Sequence, residues 1–285
     1  MSSILPPALT PGHPLAGLGY ARPVRNRPFL RLDGDHVEPL DADVAEEVPV
    51  AFVYNKHPHV VMMATPADLE DFAIGFSISE EIVASPAEIT ALDVVRHGQG
   101  IELQMIVPEA AASALTSRGR QLVGRTGCGL CGVQTVDEAL RPTRAAPPGV
   151  PITPDALWRA EAALFGKQTY NQATGSIHAA AWATADGELK VVREDVGRHN
   201  ALDKVIGALA RDGIDAATGF GVMTSRASYE LIQKATVARI PLLACVSRPT
   251  GLAIRLAEAS GLTLIALLRG RTANVYAHPE RIRTL

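Results

Sequence analysis

Past residue 29 the chain alternates short apolar runs with polar breaks, and the period of each run changes along it. Residues 47–54 and 59–64 are two such runs flanking Asn55-Lys56-His57-Pro58, a pattern that predicts a hairpin with a polar turn. Thr65-Pro66 then opens a helix whose Leu69, Phe72, Ala73 and Phe76 recur at helical spacing, with Pro66 suited to the first helical position. Runs at 89–96 and 101–107 predict two further strands, and the alanine-rich stretch 108–117 predicts a second helix. Residues 29–140 thus read as an α+β lobe that ends in a cysteine loop. Between Arg141 and Pro154 five prolines interrupt any apolar periodicity, so 141–154 is expected to be a linker or a long ordered crossing. From 155 to 285 strands alternate with helices: strands at 177–184 and 189–193, a helix at 201–210, a strand at 220–223, a helix at 228–239, a strand at 242–246, a helix at 252–259 and a last strand at 262–268. That alternation predicts an α/β lobe, a three-layer sandwich with a mixed, largely parallel sheet between helices.

Composition narrows the class. Residues 1–28 are rich in Pro and Gly with no uninterrupted apolar stretch of a signal peptide, and are expected to be a disordered tail. Three cysteines in 285 residues do not make a disulfide framework, and Cys245 lies in an apolar run, which favours a reducing compartment. No apolar run approaches the ~20 residues of a membrane helix, and a formal charge of −3 gives no reason to expect a nucleic acid as partner. A soluble, cytoplasmic protein is expected.

Two features carry candidate chemistry. In Gly127-Cys128-Gly129-Leu130-Cys131-Gly132 the glycines let another molecule approach the sulfurs, and Arg125 favours a thiolate. Half of a zinc site is one reading, but no second cysteine pair or His-x₃-His spacing supplies the other ligands, so no metal is expected. A dithiol redox motif should open a helix after a strand, whereas this pair follows Ser117-Arg118-Gly119-Arg120, and two buried thiols fit poorly with the glycines; sulfur carriage as a persulfide is a fourth possibility. The second feature is a set of polar clusters at strand carboxyl ends, where open α/β sheets collect ligands. These are Glu194-Asp195-Val196-Gly197-Arg198-His199-Asn200, Thr224-Ser225-Arg226, Ser247-Arg248-Pro249-Thr250 and Arg269-Gly270-Arg271, whose arginines and adjacent helix starts suit phosphates. Asp195, Thr224 and Thr250 also suit helix caps, and His178 a hydrogen-bonded core position. A zinc deaminase is excluded, because His178 is followed by Ala179-Ala180 where that chemistry needs a glutamate.

The cysteine loop, residues 175–180, the long segment Glu194 to Lys204, Pro249-Thr250 and residues 269–283 together resemble the formate dehydrogenase accessory sulfurtransferases, FdhD, over about 44–282. The resemblance implies a homodimer with a core similar to the cytidine deaminase fold. Such a protein takes sulfur from a cysteine desulfurase and passes it to the molybdenum cofactor, in its bis(molybdopterin guanine dinucleotide) form, before that cofactor enters formate dehydrogenase. Cys128 then matches the persulfide cysteine and Cys131 its partner, while Leu267, Leu268, Arg269, Gly270, Arg271 and Thr272 match the cofactor-binding segment. Arg269 and Arg271 would neutralise pyrophosphate, and Asp195, Arg198, His199, Asn200 and Arg226 would hold guanine or ribose, with His178 and Ser225 also at the cofactor site and GDP as a fragment ligand. The chain departs from the family pattern at Ser225, where glycine is usual, and at Leu267, where phenylalanine is usual. A nucleotide-binding chaperone that moves no sulfur is the alternative.

Overall fold

The protein is described here by a computed structural model covering residues 22–97, 100–119 and 143–283, and these residues form three sheets. Strands β1 (Val24–Asp33) and β2 (His36–Ala45) pair only with each other, as an antiparallel ribbon. Residues 24–28, expected in a tail, are therefore structured; they pair with 41–45, and an Arg25–Glu46 ion pair at 2.9 Å closes the ribbon's base. The ribbon has no alternating apolar face to announce it.

Strands β3 (Val48–Tyr54), β4 (His57–Ala64), β5 (Ala91–His97) and β6 (Gly100–Ile106) form the second sheet in the order β4-β3-β6-β5. Asn55 and Lys56 both adopt positive φ, +48° and +70°, as a two-residue hairpin turn requires. Val48, Val50, Phe52 and Tyr54 face the core, and helix α1 (Leu69–Ser79) lies across them with Phe72 and Phe76 ring centroids 5.0 and 4.2 Å from Phe52. Helix α1 begins at Leu69, after the left-handed Asp68, and not at Pro66. The preceding backbone is held elsewhere: Thr65 N donates to Asp195 at 3.0 Å, and Thr65 O accepts from Lys204 at 3.0 Å. Helix α2 (Glu109–Gly119) follows β6, and Cys128 and Cys131 lie outside the described residues.

Residues 143–152 run without regular structure, held by Arg281, which donates to Pro147 O and Pro148 O at 2.9 and 2.6 Å. Then come α3 (Pro154–Lys167) and α4 (Thr169–Thr174), β7 (His178–Thr184), β8 (Leu189–Asp195), α5 (Arg198–Arg211), β9 (Gly219–Met223), α6 (Tyr229–Val237), β10 (Leu242–Cys245), α7 (Gly251–Ser260), β11 (Thr263–Arg269) and β12 (Thr272–Ala277). The six strands are ordered β12-β11-β10-β9-β7-β8. The sheet is mixed as expected, but parallel pairing is confined to β9, β10 and β11, whereas β7, β8 and β12 pair antiparallel. The connections β7–β8 and β11–β12 are hairpins, too short for the crossover that a parallel neighbour needs. Residues 269–271 thus belong to a hairpin turn, with Gly270 at φ +57°, and do not follow a last strand.

Helices α5, α6 and α7 pack Leu202, Val205, Leu231, Ile232 and Ala253 on one face of this sheet, and α3 packs Leu157, Ala160 and Leu164 on the other, completing the three layers. Helix α3 is signalled by Thr153, whose hydroxyl accepts from Ala156 N at 3.2 Å, and by Pro154 in the first turn.

The two lobes meet where α1 crosses α5. A Cβ on Gly75 would lie 1.7 Å from Asp203 O, and one on Gly207 1.9 Å from Asp71 O, so only glycines allow this backbone approach. Gly207→Ala should therefore destabilise the fold by about 1–3 kcal/mol or more, as overpacking does. Gly166→Ala, on α3 with nothing within 4 Å of its Cβ, should instead be neutral or stabilise by about 0.5–1 kcal/mol. Urea unfolding of both variants checks the contrast.

Candidate functional site

Four strands end, and β7 begins, at one edge of the six-stranded sheet. Backbone contacts stitch the segments there into a continuous rim: Thr224 N donates to Ala179 O at 3.0 Å, Ser247 N to Ser225 O at 3.4 Å, and Leu267 N to Ser247 O at 3.2 Å. Ala179 N donates in turn to the Thr224 hydroxyl at 2.9 Å, so Thr224 closes the rim instead of capping a helix. Leu267 is in the left-handed region at φ +55°, where the β11–β12 register shifts between Ala266 and Arg269. Strained residues of this kind concentrate at ligand sites. His178, Ser225 and Leu267 are thereby brought to one edge.

The segment 194–204 divides into an inward and an outward part. Glu194 accepts from Tyr170 N and Asn171 N at 3.0 and 2.8 Å and so fixes the start of α4. Asp195 is fully buried, and its carboxylate accepts from Thr65 N, Gly197 N, Asn200 Nδ2 and Lys204 Nζ, the last at 2.6 Å. Four donors saturate two oxygens. Asn200 gives its amide hydrogens to Asp195 and to Met63 O, both at 2.9 Å. Asp195 and Asn200, expected to hold guanine or ribose, are instead committed to the lobe junction.

Arg198 and His199 form the first turn of α5, whose N-cap Gly197 offers no side-chain acceptor. Cations are unfavourable there, since the helix dipole already presents positive charge. Among the described residues neither Arg198 nor Arg226 forms an ion pair, and Arg198 Nε and His199 Nε2 are buried without a hydrogen-bond partner. The half-buried His178 ring feels the same field: burial, then the charges of Arg198, His199 and Arg226, push its pKa below 6.5, against the pull of Asp195. The arrangement gathers two arginines without an ion-pair partner among the described residues and two histidines, with orphaned donors, and is suited to an anion. His199 Nε2 lies 3.6 Å from a carboxylate oxygen of Glu230, a residue with no signal in the sequence.

The remaining expected residues are dispersed. Leu268 is fully buried in the core against α3, which removes it from any ligand surface. Arg269, Gly270, Arg271 and Thr272 are exposed on the hairpin, where Arg271 pairs with Asp155 at 3.2 Å. Ser225 is buried and its hydroxyl donates to Arg226 O at 3.1 Å, so its Cβ is accommodated inside the rim. Thr250 caps α7 by accepting from Ala253 N at 3.2 Å.

Comparison with known proteins places this geometry. A model of the FdhD/NarQ family matches residues 45–283. A protein of Xanthomonas euvesicatoria pv. vesicatoria named sulfur carrier protein FdhD is 54% identical over 239 residues, 84% of this chain and 85% of its own length. A Bordetella petrii protein of the same name is 50% identical over 242 residues, 84% of this chain and 86% of its own. The crystal structure of a candidate formate dehydrogenase accessory protein from Desulfotalea psychrophila superposes with a TM-score of 0.72 and 22% identity, covering 92% of this chain and 100% of that one, a likeness of fold.

The state of His178 is measurable. Its folded pKa lies below the unfolded 6.5, so as pH falls through that value the unfolded chain takes a proton that the folded one resists, and stability falls. A bound phosphate adds the opposite charge and should move the ring's titration upward. Imidazole NMR titration with and without inorganic pyrophosphate should show the low value and its rise; a His178 titrating unchanged would dismiss the cluster as an anion site.

Proposed function

The chain belongs to the FdhD/NarQ family, and on that footing we propose that it carries sulfur from a cysteine desulfurase to the molybdenum cofactor before that cofactor enters formate dehydrogenase. The Cys128 thiolate attacks the sulfane sulfur of the desulfurase persulfide, the desulfurase thiolate leaves, and Cys128–S–SH forms. The cofactor, in its bis(molybdopterin guanine dinucleotide) form, is the substrate. Attack of Cys131 on Cys128 then releases the terminal sulfur as hydrosulfide and leaves a disulfide for a cellular thiol to reduce.

The observation that carries this reading is the cluster of His178, Arg198, His199 and Arg226 at the sheet edge, in which Arg198 and Arg226 form no ion pair among the described residues and Arg198 Nε is orphaned. Charge-assisted bonds from that cluster suit the pyrophosphate of a guanine dinucleotide. Leu267 belongs to the same rim through Ser247, and Arg269 and Arg271 are exposed on the β11–β12 hairpin. The six-stranded lobe is, on this reading, a cytidine deaminase type of fold put to holding a nucleotide. The protein works in the cytoplasm as a homodimer without zinc; among the described residues no helix is long and apolar enough to cross a membrane. A chaperone for the finished cofactor would share the cluster but move no sulfur.

Two experiments test the reading. Intact mass after incubation with a cysteine desulfurase and cysteine should show added sulfur, and Cys128→Ala should abolish both that mass and formate dehydrogenase activity in cells; undiminished activity would favour the chaperone. Calorimetry with GDP should show Arg198→Ala with Arg226→Ala weakening binding by on the order of a hundredfold, since charge-assisted bonds are worth about 1.5–3 kcal/mol each and do not fully add. Arg269→Ala with Arg271→Ala should cost less, because water screens exposed charges. The reverse order would move the phosphates to the hairpin.

A further inference from the structure

Glu230 stands in the second position of α6, behind the cationic cluster, and the sulfur-transfer reading leaves it unused. Its side chain is only 15% exposed and that of His199 9%, with Oε2 and Nε2 3.6 Å apart. The first turn of a helix favours a carboxylate. Burial pushes the Glu230 carboxyl up, but the adjacent His199 ring and Ser228 hydroxyl outweigh it and hold the group at about 2. Glu230 is thus a fixed negative charge at any working pH, which removes it from acid–base roles and leaves its field and its acceptor oxygen as what it contributes.

Those act on one ring. His199 has Arg198 beside it on α5, His178 facing it from β7 and Arg226 from the β9–α6 loop, all cationic or capable of becoming so, while Asp195 on β8 is saturated by Lys204 and its other donors. Glu230 on α6 is the counter-charge in contact with the ring. Nε2 lies 3.6 Å from the carboxylate, beyond hydrogen-bond length but within reach of an ion pair. A protonated ring would offer a second N–H at Nδ1 to an acceptor.

We propose that Glu230 is a positioning residue of the anion site: it holds the His199 ring at the start of α5 and sets the pH range over which the site takes a phosphate. The proposal rests on the nucleotide reading above for its ligand, but its central coupling, Glu230 to His199, stands apart from that reading and is tested apart from it. Glu230 touches neither phosphate nor sulfur in this scheme; it acts through His199.

The test uses the full-length protein, with Glu230→Gln, which keeps shape and loses charge, and Glu230→Asp, which keeps charge. Histidine NMR titrations in the absence of ligand, from about pH 5.5 to 8.5 where imidazoles titrate, should show the His199 midpoint moving to lower pH in Glu230→Gln and largely restored in Glu230→Asp. Calorimetry with GDP over the same range should show affinity near pH 7 falling about tenfold in Glu230→Gln, the equivalent of one charge-assisted contact, with its pH midpoint shifted in the same direction as the His199 titration. An unchanged His199 midpoint overturns the proposal whatever happens to GDP. Weaker GDP binding with an unshifted pH profile also overturns it, since that is what a structural glutamate would do. Absence of GDP binding in the unmodified protein overturns the nucleotide reading instead, and the ligand-free titration then decides on Glu230. Should Glu230→Gln fail to fold by circular dichroism, Glu230→Asp against the unmodified protein decides, an undisplaced GDP pH profile and a retained His199 midpoint being expected and a profile displaced to lower pH overturning it.

Discussion

Lys204 is fully buried, and the arrangement of the two lobes depends on how its ammonium is satisfied. It reaches Asp195 at 2.6 Å, Thr65 O at 3.0 Å and Glu194 O at 3.4 Å, and lies 5.7 Å from the centre of the Phe72 ring. Thr65 belongs to the four-stranded lobe and Asp195 to the six-stranded one, so one charge ties both. Removing either partner of such a buried pair leaves the other uncompensated, at about 3–5 kcal/mol. A second buried set stands alongside, with Lys234 bonded to Asp203 at 3.0 Å and to Ser79 and Glu80 at 2.9 Å. A third joins Asp71 to Arg193 and Arg211 at 2.7 and 2.8 Å. Asn200, Asp203, Lys204 and Gly207 recur at helical spacing, so α5 turns a polar buried face to α1 while Leu202, Val205 and Leu209 pack on the sheet. That double burial is why two glycines are needed where the helices cross.

The functional edge inherits its character from this junction. Because Asp195 is turned inward and saturated, the adjacent Arg198 and His199 begin α5 without the acidic cap that commonly balances a helix start. Positive charge then accumulates from Arg198 on α5, Arg226 in the β9–α6 loop and the dipole of α5, with the Glu230 carboxylate beside His199. Acidic groups satisfy the lobe junction, and the rim stays cationic. The buried junction and the rim therefore draw on adjacent residues of one motif, with opposite orientations.

Much of this was legible in local pattern. The hairpin at Asn55-Lys56, the helical spacing of Leu69, Phe72 and Phe76, and the alternation from β9 to β11 are short-range signals, each carried by period or turn chemistry. Helix α3 had its cap in Thr153-Pro154, but the surrounding prolines obscured it. The β1–β2 ribbon and β12 were hidden for another reason: their strands are half-polar and exposed, so their backbone ladder exists without an apolar face to mark it. Pro66 suggested a helix start that the hydrogen bonds of Thr65 to Asp195 and Lys204 moved to Leu69, a contact across more than a hundred positions of sequence that no local window contains.

By itself the sequence determined the hairpin at Asn55-Lys56, the α1 face and the strand–helix alternation from β9 to β11, which segments could carry chemistry, and the family to which the chain belongs, because capping, periodicity and motif are properties of neighbouring residues. Only the tertiary structure decided which polar residues of Glu194 to Lys204 serve the lobe junction and which stand at the sheet edge. The side chains alternate in direction around the end of β8 and the first turn of α5, and their partners, Thr65, Met63 and Glu230, come from distant parts of the chain. The same residue types read alike in sequence; direction and burial separate them, because a charge in the core must be paired while a charge at the rim can remain for a ligand.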